Sequence, residues 1–193
     1  MENNFEFSAL FTINSQRKRV AEKLNNHLTY TVALKGGNEE KARTIFEDCL
    51  ATINIASMLD ILTNEEHDMA YQTIYDFFSG KRVSYFVFED LTEHYFADKT
   101  TLDLMLLQKI NIQEQLNINL QGYREFGEKQ KEEGYRKPDY LIANERMVNF
   151  ASEFGILKEN EVLNAKEIIK KYRKNDFSDK KIIFIPEHFY QKI

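Results

Sequence analysis

Ile61-Leu62-Thr63-Asn64-Glu65-Glu66 is the stretch on which the reading of the fold turns. A Thr with a Glu three positions later, ahead of a periodic apolar run, is the pattern of a capping box. The hydroxyl satisfies a free N–H of the new helix and the carboxylate reaches back to the cap. A helix is therefore expected to open at Thr63. Its apolar residues are Met69, Ala70, Ile74, Phe77 and Phe78, and Gly80 closes it.

Upstream, Ala42, Ile45, Phe46, Cys49, Leu50, Ile53 and Ala56 recur at helical spacing, so a helix is expected from about Glu39 to Leu62. Before it, Val20, Leu24, Leu28 and Val32 form a stripe spaced by four, with Ser15 as the expected N-cap and Gly36-Gly37-Asn38 as the stop. Phe5, Phe7, Ala9, Phe11 and Ile13 alternate with mostly polar neighbours, which predicts a strand.

Downstream, Val83–Phe88 is β-branched and aromatic and reads as a second strand. Residues 102–112 are apolar nearly all round, which suits a helix buried centrally or against a second copy of the chain. The polar tract 128–138 ends in Pro138 and reads as a linker. Helices follow over 139–154 and 159–174, and Ile182–Ile185 reads as a terminal strand stopped by Pro186. The expected class is α+β, predominantly α-helical, with six or seven helices and at most one small sheet. The expected division is a main domain over 1–130 and a small C-terminal helical unit with its terminal strand over 138–193, the alternative being one continuous domain. No internal repeat is evident on direct reading.

Composition narrows the function. The 193 residues are 42% hydrophobic, so the chain can build a core. No apolar run approaches a membrane span, and the start lacks the features of a secretory signal. A cytoplasmic protein is expected. Heavy use of Asn, Lys and Ile points to a phage or mobile element of a low-GC bacterium, which would place the protein in the host cytoplasm. The single cysteine, Cys49, falls on an apolar helix face, where a thiol stays protonated and inert. No histidine pair has metal-clamp spacing. No cofactor, metal or catalytic residue is therefore expected. A weaker enzymatic reading, a hydrolase, centres on His94, which a helix would place on one face with Asp90 and Asp98.

Charge is segregated. Residues 37–128 carry 7 basic and 17 acidic groups, while both ends are net positive. Glu39, Glu40, Glu47, Asp48, Glu65, Glu66, Asp68 and Asp76 would form an acidic surface that steers a basic protein partner. The leading reading is a small, acidic, non-enzymatic regulator or inhibitor that docks on a host protein, a nucleic-acid-binding one being a candidate, with a homodimer through 102–112. The alternative is a DNA- or RNA-binding regulator. It would use Arg17, Lys18 and Arg19 in a helix's first turn, and Lys170, Lys171, Arg173 and Lys174 in a helix's last turn.

Overall fold

A computed structural model describes residues 3–34, 38–92, 104–133 and 139–186. The chain forms two compact units, Met1–Thr101 and Leu102–Ile193. Unit 1 contains α1 (Asn3–Ala33), α2 (Glu39–Met58) and α3 (Asn64–Phe78). Unit 2 contains α4 (Leu104–Glu133), α5 (Tyr140–Glu153) and α6 (Glu159–Arg173). The expected linker at 128–138 overlaps the end of α4, and residues 134–138 lie outside the described residues.

The α+β expectation is corrected: the described residues contain no strand and no sheet. Phe5–Ile13 belongs to α1. Its period-two pattern yields to a longer helical stripe, in which Ile13, Val20, Leu24 and Leu28 are all buried. Ser15 is accordingly inside the helix and caps nothing. Val83–Phe88 and Ile182–Ile185 run extended or bent without any strand beside them. Their alternation is real, for Phe86 and Phe88 are buried while Tyr85 and Val87 are exposed. What is missing is a ladder, because side chains of the long helices satisfy the backbone instead.

Asn25 donates from Nδ2 to the Phe86 carbonyl (2.9 Å) and accepts the Phe86 N–H at Oδ1 (2.7 Å). Asn14 holds Leu91 in the same way, at 3.1 and 2.8 Å. These amides lie 11 residues apart on α1, and their targets lie five apart on the extended chain. At 1.5 Å per helical residue and 3.3 Å per extended residue, both spans are about 16 Å. The segment therefore lies antiparallel along α1 in register. Unit 2 repeats the device: Asn117 clamps Ile182 (2.9 and 2.7 Å), and Gln113 binds both amide and carbonyl of Ile185 (2.8 and 3.3 Å) and the amide of Phe184.

The chain thus contains an internal duplication, which corrects the reading of no repeat. Residues 54–74 match 149–169 at a shift of 95, with eight identities in 21 positions. Asn54, Ala56, Ser57, Ile61, Leu62, Glu66, Ala70 and Ile74 correspond to Asn149, Ala151, Ser152, Ile156, Leu157, Glu161, Ala165 and Ile169. The local geometry matches as well. Ile61 N–H reaches the Ala56 carbonyl at 2.8 Å, and Ile156 N–H reaches Ala151 at 2.8 Å. The left-handed residue before each is Asp60 (φ 56°) or Gly155 (φ 70°). The turn after each second helix has its own left-handed residue, Gly80 (φ 85°) or Asn175 (φ 58°). The long helices align at a shift of 92, pairing Gln16, Val20, Leu24, Asn25 and Leu28 with Gln108, Ile112, Leu116, Asn117 and Leu120. In both units these glutamines and aliphatics are buried.

Each unit is therefore a long helix, a helical hairpin packed on it and an extended segment returning along the long helix. In unit 1, Phe46 meets Tyr75 and Phe78 edge-on at 5.2 and 5.1 Å, which joins α2 to α3. In unit 2, Asn119 donates to Asn144 at 2.7 Å and Asn144 donates to the Leu116 carbonyl at 3.1 Å, which joins α4 to α5.

Candidate functional site

The basic residues expected to bind nucleic acid divide by position. Arg17, Lys18 and Arg19 are not in a first turn, since α1 starts at Asn3. No free N–H groups of a helix start therefore stand beside them to join in binding an anion. Arg17 is 1% exposed. It donates to the Glu89 carbonyl (2.9 Å), the Ile61 carbonyl (2.7 Å) and the Glu66 carboxylate (2.9 Å). Lys18 is exposed and pairs with Asp90 at 3.1 Å, and Arg19 is exposed.

In the last turn of α6, Lys171 pairs with Asp179 at 2.7 Å and Arg173 with Glu145 at 2.7 Å. The hydrogen bond to Asp179 raises the Lys171 pKa, keeping the ammonium charged. Lys170 and Lys174 are exposed.

The acidic residues divide too. Glu66 is structural: it receives Arg17 and accepts the Thr63 N–H at 2.9 Å, completing the expected capping box. Glu47 pairs with Arg43 at 3.2 Å. Asp76 accepts from Lys81 (2.7 Å) and Gln72 (2.9 Å), and these bonds lower its pKa. Asp68 meets His67 at 3.0 Å, while Asp48 is half-buried beside Cys49. Glu39, Glu40 and Glu65 are exposed in the first turns of α2 and α3, where carboxylates agree with the helix dipole.

The duplication supplies a reference that sequence reading lacked. Over 39–78 the α2–α3 hairpin has nine acidic residues against Lys41 and Arg43, a net charge of -7. Over 140–173 the equivalent α5–α6 hairpin has five acidic and six basic residues, a net charge of +1. The same frame is built with either balance. The excess of negative charge on α2–α3 is thus no requirement of the fold.

Cys49 is fully buried, and burial, helped by Asp48, pushes its thiol pKa to about 12. His94 and Asp98 lie outside the described residues, and Asp90 is engaged by Lys18. Among the described residues no group of three His, Cys, Asp or Glu side chains could hold a metal ion. An open cavity of about 500 Å³ lies beside α1, lined by Leu10, Phe11, Asn14, Ser15, Lys18 and Asp90. Leu104–Leu107, in the stretch expected to be apolar all round, are half-buried, and Gln108 and Ile110 are buried.

Sequence reasoning missed Asn14, Asn25, Gln113 and Asn117, the amides that grip the extended segments. The usable signal was Asn25 and Asn117 at equivalent places between buried leucines. No described helix is long and apolar enough to cross a membrane. No family model, no curated protein and no solved structure matches the chain.

Proposed function

We propose that this chain is a non-enzymatic protein-binding regulator whose acidic α2–α3 hairpin docks on a basic surface of a partner protein. One observation carries the reading. Two hairpins of one duplicated fold differ by eight units of charge, -7 against +1, while their caps and core positions correspond. Charge that folding does not demand is available for recognition, and a field of one sign steers an oppositely charged partner. Glu39, Glu40, Glu65 and Asp68, all exposed, are the residues assigned to contact. The partner's basic surface suits a protein that itself handles nucleic acid. Heavy use of Asn, Lys and Ile favours an origin in a phage or mobile element of a low-GC bacterium, where such a regulator or inhibitor would act in the host cytoplasm. Direct nucleic-acid binding is the weaker reading, because Arg17 is buried and Lys171 and Arg173 are engaged within unit 2.

The test compares capture from a lysate of the producing cell by three proteins: the native chain, E39K/E40K/E65K, and K170E/K174E. The expected result is one basic protein at stoichiometric amount, released by salt, lost with the first variant and retained with the second. Equal capture by all three would refute the acidic hairpin as the contact. Retention of the native chain on a DNA column, abolished by K170E/K174E, would favour the nucleic-acid reading instead.

A further inference from the structure

The extended segment of unit 1 has one edge that nothing in the described chain uses. Asn25 holds the N–H and C=O of Phe86, so that edge faces α1. In extended chain, backbone polar groups alternate sides. The N–H and C=O of Val83, Tyr85 and Val87 therefore face the opposite edge, and they have no hydrogen-bond partner among the described residues. The side chains on the outer face are largely exposed: Val87 is 79% and Tyr85 64% exposed, although the Tyr85 hydroxyl reaches Thr29 of α1 at 3.3 Å. At Glu89 the carbonyl turns to Arg17, which ends the free edge.

The duplication again supplies a comparison. The equivalent segment of unit 2 begins with Lys180 and Lys181 and ends at Pro186. Lysines and a proline are the usual means of blunting a strand edge against pairing. Aligned on the amide clamps of Phe86 and Ile182, Lys180 and Lys181 stand where unit 1 has Ser84 and Tyr85, and unit 1 carries Lys81 and Arg82 only ahead of the edge.

The sequence along this edge also identifies its occupant. Lys81, Val83, Tyr85, Val87 and Glu89 form one alternating set. The set is self-complementary when reversed: cation against anion, valine against valine, tyrosine against itself. We infer that the 83–87 edge pairs antiparallel with the same edge of a second copy of this chain, with Tyr85 on the two-fold axis. In this register Val83 exchanges two hydrogen bonds with the second copy's Val87, Tyr85 two with its own equivalent, and Val87 two with Val83, roughly six in all. Lys81, which pairs with Asp76 within the chain, and the second copy's Glu89 flank the hydrogen-bonded stretch at each end, where opposite charges add to its stability. A one-residue slip would put Tyr85 opposite the inward-facing Phe86, so the pleat forbids it. The pairing leaves Asn25 and Asn14 as they are, and it touches the acidic hairpin only through Lys81, which pairs with Asp76 at 2.7 Å within the chain; Glu39, Glu40, Glu65 and Asp68, the residues assigned to the partner contact, take no part in it.

The test is sedimentation equilibrium of the full chain across a concentration series, with thermal unfolding as a control. The native chain is expected to double in mass as concentration rises. Val87→Pro removes an outer-edge N–H that the fold does not use, so it is expected to stay at the single mass with an unchanged unfolding midpoint. Glu89→Lys sets cations opposite each other at both ends while leaving the Lys81–Asp76 pair in place, and is expected to weaken the dimer roughly tenfold. K81E/E89K is expected to restore it. Tyr85→Cys is expected to cross-link under oxidised glutathione, since Cα atoms of a hydrogen-bonded pair lie about 5.5 Å apart. Ser84→Cys, on the other face, is not. A native chain that stays at single mass throughout overturns the proposal. So does a dimer that Val87→Pro leaves intact, or one in which Tyr85→Cys cross-links no faster than Ser84→Cys.

Discussion

Arg17 Nη1 donates to Glu66 Oε2 at 2.9 Å, and that same oxygen accepts the Thr63 N–H at 2.9 Å. One carboxylate thus closes the cap of α3 and ties it to the middle of α1. Unit 2 builds the equivalent joint from Lys109, whose Nζ donates to Glu161 at 2.8 and 3.0 Å while Glu161 accepts the Lys158 N–H at 2.7 Å. Arginine has donors to spare where lysine does not. Those of Arg17 reach the carbonyls of Ile61 and Glu89, so it also fixes the hairpin turn and the extended segment.

Arg17→Ala should therefore be among the most damaging single changes in unit 1. It strands a partly buried carboxylate and two carbonyls, a loss of about 3–5 kcal/mol. Lys109→Ala should cost about 1–2 kcal/mol in unit 2, since it strands one carboxylate and no backbone carbonyl. Amide hydrogen exchange followed separately in the two units reads both. Equal losses would show that the extra donors of Arg17 contribute nothing.

Asn25→Ala and Asn117→Ala each remove a two-point clamp on the backbone. Each should lower stability by about 2 kcal/mol, with protection lost first at the amides of Phe86 and Ile182. Asn25→Asp keeps the acceptor for the Phe86 N–H but loses the donor to its carbonyl, and should fall between. Unchanged protection at Phe86 in Asn25→Ala would mean that burial of Phe86 and Phe88 alone holds the segment.

Gly155→Ala isolates a backbone effect. At φ 70° the residue is left-handed, and an added Cβ meets nothing within 4 Å. The whole cost is conformational, about 1 kcal/mol. Chemical denaturation monitored in unit 2 measures it, and a loss of several kcal/mol would point to a steric conflict instead.

Cys49 gives a pH signature. Its pKa rises from 9.0 to about 12 on folding, so between those values the native state keeps a proton that the unfolded state releases. Stability is unaffected below pH 9 and falls as pH rises above it. Cys49→Ala should remove that part of the alkaline slope. At pH 8 the native thiol should resist iodoacetamide, and the unfolded thiol should react.

The helices at the centre of the chain were legible because their signals are local. Thr63 and Glu66 are three residues apart and cap each other, and the Ile45–Ala56 stripe needs only helical spacing. The strands were misread for the complementary reason. Val83–Phe88 has the alternation and residue types of a strand, yet strand identity depends on what lies alongside. That neighbour is Asn25, 61 residues away. The duplication was hidden because six of its eight identities sit at core and cap positions of 54–74, while most of the surface diverged and α5 is shorter than α2.

The charge clusters mark the same limit. The sequence by itself determined where the charges lie along the chain, because composition is independent of folding. It also determined most helix ends, because caps are local. Only the tertiary structure decided which charges are used up. Arg17 and Glu66 looked like surface residues of opposite sign, and burying one guanidinium requires a carboxylate brought from 49 positions away. Only the tertiary structure, too, paired the acidic hairpin with a balanced twin. A negative surface has no meaning alone, and it acquires one when the same fold is seen standing without it.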